Sequence, residues 1–411
     1  MTSFRSRSLA AGALLALLAF AVLAFGAVEA WALTLFELGV FVLAAVWAFR
    51  LAWGAARPVW NPFCLPLGLL AAWSGLQYLL GLSVYPYRTA LEALKWLALW
   101  LLFCLAAQVF IDASIRRWFG RALLFFVFGL CVFGLVQNFT SGGQLYWSIP
   151  MTTARIFGPF VNANHFAALL ELAAPTAVLL VLRGGEQRLL YVAVLVILLA
   201  ATVACGSRMG IVLVALEILV VWGVKAVRPS SPEGAPRLRY GLVVAALTCL
   251  AGLGWMTWQT PKMAERFRVE QPYAVRWSVV RATWNLFLSR PWTGYGAGTF
   301  EQVYPSAALL DLDLLWTHAH NDPLQLAMEF GLAGPAALGW ILWLLWRGRW
   351  TQDQRLRSIL PVVTVLIHSW VDFPLQIPAV AAAWLLTLAL LPASGPQPPG
   401  GTVASSAENP A

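Results

Sequence analysis

LLYVAVLVILLAATVAC, residues 189–205, then Gly206-Ser207-Arg208, then MGIVLVALEILVVWGVK, residues 209–225, is the stretch that decides the fold. The first run carries no charged side chain, and the second carries a single carboxylate, Glu217, before Lys225. A bilayer core is about 30 Å thick and takes about 20 apolar helical residues to cross. Each run is therefore read as a transmembrane helix, with a three-residue turn between them. Runs of the same kind recur along the chain, with spans read at 9–28, 30–49, 63–82, 91–111, 120–138, 165–182, 189–205, 209–225, 240–258, 323–346, 358–371 and 374–391, twelve in all. The last pair is short and punctuated by Asp372-Phe373-Pro374, a pattern that also suits a hairpin. The expected fold is all-α, a polytopic transmembrane bundle forming one domain over 1–391, followed by a disordered Pro/Gly/Ser-rich tail over 392–411.

Composition agrees. Of 411 residues, 60% are apolar and 11% charged, against about 25% charged in soluble domains. Surface scaling leaves no room to hide so much apolar side chain in a water-soluble core. The net charge is +9, but the cations stand in small clusters between apolar runs. That pattern argues for membrane orientation and against a nucleic-acid partner. Five widely spaced cysteines (Cys64, Cys104, Cys131, Cys205, Cys249) form no C-x-x-C pair, so neither a disulfide framework nor a zinc site is expected. Several of the 22 tryptophans, among them Trp31, Trp53, Trp258 and Trp346, end apolar runs, where the headgroup zone favours them. Arg5 and Arg7 precede the first run, which could be mistaken for a signal peptide; because apolar spans follow at once, it is read as a retained span.

Orientation follows from the basic residues in the connections. With the N-terminus inside, seventeen Lys and Arg fall on the cytoplasmic side and nine outside, six of those nine in one long loop. Both termini are then cytoplasmic. Two outer segments exceed what a turn requires, 139–164 and 259–322, and long ordered loops are usually functional. The second holds a helix at 275–289, with Val275, Val279, Ala282 and Leu286 on one face and Arg276, Thr283 and Ser289 off it. It is expected to lie at the membrane surface.

The chemistry-bearing residues gather in these outer segments. In Trp316-Thr317-His318-Ala319-His320-Asn321-Asp322-Pro323-Leu324-Gln325, Asp322 reads as an N-cap, Pro323 as the first helical residue and Gln325 as the partner in a capping box. His320 thus precedes a transmembrane helix on the outer side. A neutral imidazole there can take a proton from a hydroxyl, and the bland alternative is a loop histidine held by hydrogen bonds. His318-x-His320 lacks nearby cysteines or a second His cluster, so no metal is expected. Arg208 sits in its tight turn beside hydrocarbon, where a charge is costly and often functional, unless it snorkels to the headgroups. Arg276, Arg281 and Arg155 lie in the two long outer loops. Guanidinium groups converging on one pocket would suit a diphosphate, which their planar fork matches. Asn162 or Asn164 caps the sixth span, and Glu171, seven residues after Asn164, shares its face. Glu171 and Glu329 are read as inter-helix hydrogen-bond formers. Gly294-Tyr295-Gly296-Ala297-Gly298 lacks the strand context of a nucleotide loop and is read as a turn.

Taken in order, several stretches resemble one family: Gly158 with Asn162-Ala163-Asn164-His165-Phe166-Ala167; Ser207-Arg208-Met209-Gly210; Arg276-Trp277 and Trp284, then Pro291 to Phe300; His320-Asn321, Leu324-Gln325 and Glu329 to Gly334; Val371-Asp372-Phe373-Pro374-Leu375. The set is similar to the O-antigen ligase and polymerase superfamily of bacterial envelope glycosyltransferases, over about residues 155–375. The resemblance puts the family's His-Asn pair at His320 and Asn321, its loop arginine at Arg276 and its Ser-Arg turn at Arg208, with Arg155 a looser match. It implies an inner-membrane enzyme with a periplasmic site. The enzyme would transfer a glycan from a polyprenyl (undecaprenyl) diphosphate to an acceptor hydroxyl, with no cofactor, metal or nucleotide. Members use lipid A–core, a growing glycan or a protein as acceptor; the compact outer loops favour the ligase, with lipid A–core. Arg208, Arg276 and Arg155 are expected to hold the diphosphate, with Asn321, Asn162, Asn164 and Arg281 as further substrate contacts. The rival reading is a transporter or flippase with interior charges Glu37, Glu92 and Lys95. Against it, no internal repeat appears and the polar groups gather on one face. A structural subunit of an envelope complex is the third reading.

Overall fold

The computed structural model describes residues 4–54, 58–151, 155–227, 271–309 and 315–392. The span read at 240–258, Cys249, the tail beyond 392 and part of the long loop lie outside the described residues. Fourteen helices are labelled here in chain order. They are α1 (Phe4–Leu23), α2 (Ala30–Ala52), α3 (Cys64–Leu79), α4 (Pro86–Val109), α5 (Ala113–Thr140), α6 (Ala163–Arg183), α7 (Arg188–Cys205) and α8 (Arg208–Val227). After these come α9 (Gln271–Ser289), α10 (Phe300–Val303), α11 (Asp322–Phe330), α12 (Ala333–Arg347), α13 (Leu360–His368) and α14 (Pro378–Ala389). Among the described residues seven helices (α1, α2, α4, α5, α6, α7 and α8) are long and apolar enough to cross a membrane. Two shorter apolar helices, α3 and α14, accompany them.

Helix α6 is the axle of the bundle. It is apolar around its whole circumference, and its side chains from Phe166 to Val181 are all buried, as expected of a helix surrounded by others. Its small residues let neighbours come close: a Cβ built on Gly210 of α8 would stand 2.5 Å from the Ala167 methyl. Helix α14 is buried along its full length as well.

Three sequence expectations change. The span read as continuous over 323–346 is two helices, α11 and α12, broken at Gly331 (φ +61°). A side chain at Gly331 would meet the carbonyls of Pro291 and Trp292 at 2.6 Å, so the break is where another loop's backbone wedges in. The N-cap of α11 is Asn321, whose side chain accepts from the Leu324 amide at 2.9 Å; Asp322 is already helical and no capping box forms. Thr283 of α9, placed off the apolar stripe, is nonetheless buried, its hydroxyl donating to the Val279 carbonyl. Of the apolar stripe of α9, Val279, Ala282 and Leu286 pack against Phe300, Tyr304 and Met328. The closing pair is a short hairpin, α13 and α14, turning through Asp372-Phe373-Pro374.

The segment after α5 holds a small hairpin, Gln144–Leu145 paired with Ile149–Pro150. Beyond it, Phe157 and Phe160 exchange backbone hydrogen bonds and pack their rings at steep angles against Phe166 at the start of α6. That aromatic clasp fixes where α6 begins.

Candidate active site

The N-termini of α6, α8 and α11 and the α13–α14 turn meet at one end of the bundle. Asn162 caps α6, its side chain accepting from the Asn164 amide at 2.9 Å. Asn164 then points its side-chain amide at Asp372 Oδ2 in a short hydrogen bond. Two turns along the same face, Glu171 takes a 2.7 Å bond with His368 Nδ1. The seven-residue spacing on α6 is matched by the four-residue spacing from His368 to Asp372, so α6 is stitched twice to the hairpin, and Glu171 is an inter-helix tie.

Asp372 faces His320. His320 Nδ1 stands 3.3 Å from Asp372 Oδ1, within ion-pair range though tilted off a straight hydrogen bond. The carboxylate is buried at 2% side-chain exposure, while the imidazole keeps 18%. One partner is thus screened from water and the other can reach a substrate. His320 occupies the left-handed region at φ +52°, costly for a residue with a side chain and frequent at functional positions. Its ring packs edge-on against Phe373 at 4.8 Å and against Trp316 at 5.4 Å. His165 and His318 pack on the same Phe373 ring. With His368 four residues from Asp372, all four histidines of the chain belong to this site. Burial alone would raise the Asp372 carboxyl. The contact with His320 and the positive fields of His165, His320 and Arg276 outweigh it and hold Asp372 below the usual carboxylate range.

Asn321 fixes the other side of His320. Besides capping α11, its side-chain amide donates to the Trp370 carbonyl at 3.0 Å. The Asp322 amide donates to Ser369 O, and Asp322 Oδ2 accepts from Leu375 N. The His-Asn segment is therefore locked onto the same turn that carries Asp372. Below it Gln325 bonds Glu329 Oε1 at 3.0 Å and accepts from the Ala319 amide at 2.9 Å. Glu329 in turn accepts from the amides of Gly298 and Phe300, the structural role its sequence position suggested.

The arginines divide. Arg276 on α9 is near enough to Asp372 for its charge to act on that carboxyl. Arg155 donates to the Cys205 carbonyl at 2.6 Å, at the turn that leads into Arg208. Gly210, two residues past Arg208, touches Ala167, four residues past the start of α6, so Arg155 and Arg208 sit at the same bundle end as Asn164. Arg281 lines a groove of about 840 Å³ between α9 and the α11–α12 pair. Trp277, Trp284, Leu324, Ala327, Leu338 and Leu342 give this groove apolar walls, and Asn321 stands at its rim. The structure brings His320 and Asn164 onto one carboxylate that also feels the charge of Arg276, keeps Asn162 and Asn321 beside them as helix caps, and ties Arg155 to the turn that precedes Arg208. In the sequence Asp372 stands out only as a member of the Val371–Leu375 stretch. The signal for it was its place in a turn on the same side as His320. Among the described residues no three His, Cys, Asp or Glu side chains are arranged to hold a metal ion.

His318 supplies a test of this packing. Burial first, then the charges of Lys95, His165 and His320, push its imidazole down to about 3, against the favourable bond to Gln325. The unfolded chain takes up that proton near pH 6.5. Stability from this group is therefore complete above about pH 6.5 and falls with pH toward 3, by about 1.4 kcal/mol per pH unit. Thermal unfolding in detergent should shift down between pH 7 and pH 5, and His318→Gln should flatten that slope; parallel slopes would refute the assignment.

The helical bundle thus gathers a histidine, a buried carboxylate and an apolar groove at one end. Residues 193–338 match the family model described as O-antigen ligase, a likeness that supports the O-antigen ligase superfamily. The matched stretch contains Arg208, Arg276, Arg281, His320 and Asn321; Arg155, Asn162, Asn164 and Asp372 lie outside it. No curated protein matches the chain. The family implies a membrane glycosyltransferase-type enzyme working on lipid-linked glycans.

Proposed function

We propose that this chain transfers a glycan from a polyprenyl diphosphate, of the undecaprenyl kind, to an acceptor hydroxyl on the periplasmic face of the inner membrane, with lipid A–core as the favoured acceptor. The observation that carries the reading is the His320–Asp372 contact, one residue from Asn321, which lines an apolar groove. The groove suits an isoprenoid tail, because its walls are hydrocarbon and its polar groups stand at the rim. Arg276, Arg208 and Arg155 hold the diphosphate, with Arg281 on the lipid-facing side and Asn321, Asn162 and Asn164 shaping the pocket.

Asp372 orients His320 so that Nδ1 faces the carboxylate and Nε2 faces the acceptor. The acceptor hydroxyl attacks the anomeric carbon, its proton passing to His320 Nε2. A carbon–oxygen bond forms to the acceptor as the bond to the phosphate oxygen breaks, with inversion. The diphosphate leaves with its charge stabilised by guanidinium groups that are already in place. The reading invokes no metal and no nucleotide.

The deciding assay offers purified protein a polyprenyl-diphosphate glycan and three acceptors: lipid A–core, a second glycan-lipid and a pilin-like protein. Label on lipid A–core is the expected result. Label on glycan-lipid would make the chain a polymerase, and label on protein an O-oligosaccharyltransferase. Movement of donor across the bilayer with no transfer to any acceptor would replace the reading by a transporter or flippase.

A further inference from the structure

The end of the bundle away from His320 carries a second charged site. Helix α6 has 21 residues, so its two ends stand about 30 Å apart. At the far end Arg183 closes α6 and Lys225 lies in the last turn of α8. Arg117 and Arg121 lie in the first turns of α5. Arg357 lies in the turn of residues 355–359 that leads into α13. Asp353 answers two of these cations, taking Arg183 Nη2 at 3.2 Å and Lys225 Nζ at 2.8 Å. Gln352 also accepts from Lys225 at 3.3 Å.

Helix C-termini favour cations, which explains Arg183 and Lys225. It does not explain Arg357. Its Nε is buried and has no hydrogen-bond acceptor. Burial first, and then the charges of Arg183, Arg121 and Arg117, work against its ionisation, with Asp353 alone opposing them. A guanidinium held among other cations, with its buried Nε donor unpaired, is matched by an anion that accepts several hydrogen bonds at once. Phosphate oxygens do so in the planar geometry that arginine presents. The ends of membrane-spanning helices lie at the depth of phospholipid headgroups, and basic pockets between such helices bind anionic heads.

We propose that Arg357, Arg183 and Lys225, with Arg117 and Arg121 at the rim, form a binding site for the phosphate of an anionic phospholipid headgroup. The test uses the purified full chain in neutral detergent, doped with phosphatidylglycerol or with phosphatidylcholine, and follows thermal unfolding. A third arm adds inorganic phosphate alone. Phosphatidylglycerol should raise the unfolding temperature more than phosphatidylcholine does. Arg357→Gln should weaken the apparent affinity for phosphatidylglycerol by about tenfold. Arg183→Gln, at a position 57% exposed, should weaken it less, and it keeps the test decisive if Arg357→Gln does not fold. Arg50→Gln, at the end of α2 outside the cluster, should leave the response intact. Equal stabilisation by the two lipids, or an undiminished response in the cluster variants, would overturn the proposal. Stabilisation by inorganic phosphate with no added effect of lipid would overturn the lipid as its source.

Discussion

His320→Ala is expected to lower glycan transfer by roughly a hundred- to ten-thousand-fold, the range a positioned general base contributes, while the protein stays folded in the membrane. His320 keeps some solvent exposure and no packing cluster depends on its ring alone. It also occupies a left-handed backbone position that alanine takes up at a cost of about 1 kcal/mol, too little to unfold a bundle of this size. Asp372→Asn is the sharper companion. Asparagine keeps the shape and can still meet Asn164, but it removes the charge beside Nδ1. Transfer should fall, because the imidazole loses the carboxylate that orients it and balances the charge it gains on taking the acceptor proton. Full transfer by His320→Ala, measured with the donor and acceptor above at matched protein levels, would remove the imidazole from the mechanism.

Much of this arrangement was legible in the sequence, for identifiable reasons. The apolar runs 189–205 and 209–225 became α7 and α8 because nothing in them competes with a membrane helix. The stripe of Val279, Ala282 and Leu286 was readable because helical spacing is local. The His-Asn segment was readable as a helix entrance, although Asn321 and Asp322 compete for the cap by chemistry almost equal, and only the tertiary bond from Asn321 to Trp370 O settles it. The role of Asp372 was not readable. It meets His320 from 52 residues away in sequence, and only the hairpin of α13 and α14 against α6 brings the two together. The break at Gly331 was hidden for the same reason. Its apolar neighbours continue the helical pattern, and the cause of the break is another loop's backbone.

That loop leads to the second large effect. Gly294→Ala should destabilise the protein by about 3 kcal/mol or more, and transfer should be lost with it. Gly294 has φ +68°, and a methyl there would stand 2.2 Å from the Glu329 carbonyl oxygen and 2.6 Å from the Gly331 amide nitrogen. These neighbours are backbone atoms and cannot rotate away. The same approach carries a dense set of bonds: Tyr295 N to Met328 O and Gly296 N to Glu329 O, each at 3.1 Å, and Leu332 N to Pro291 O at 2.7 Å. Gln77 of α3 closes the joint, donating to Thr293 O and Glu329 O and accepting from Ala297 N. A methyl at 294 must push the two backbones apart, break these bonds and displace α11, whose first turn holds His320 in place. Gly142 is the internal control. It also has a positive φ, +62°, but open space where a side chain would go, so Gly142→Ala should cost only about 1 kcal/mol. Thermal unfolding of both variants in the same detergent separates the two contributions. An equal loss at the two positions would mean that backbone strain alone governs both, and that the joint between the glycine loop and the broken helix does not hold the catalytic end together.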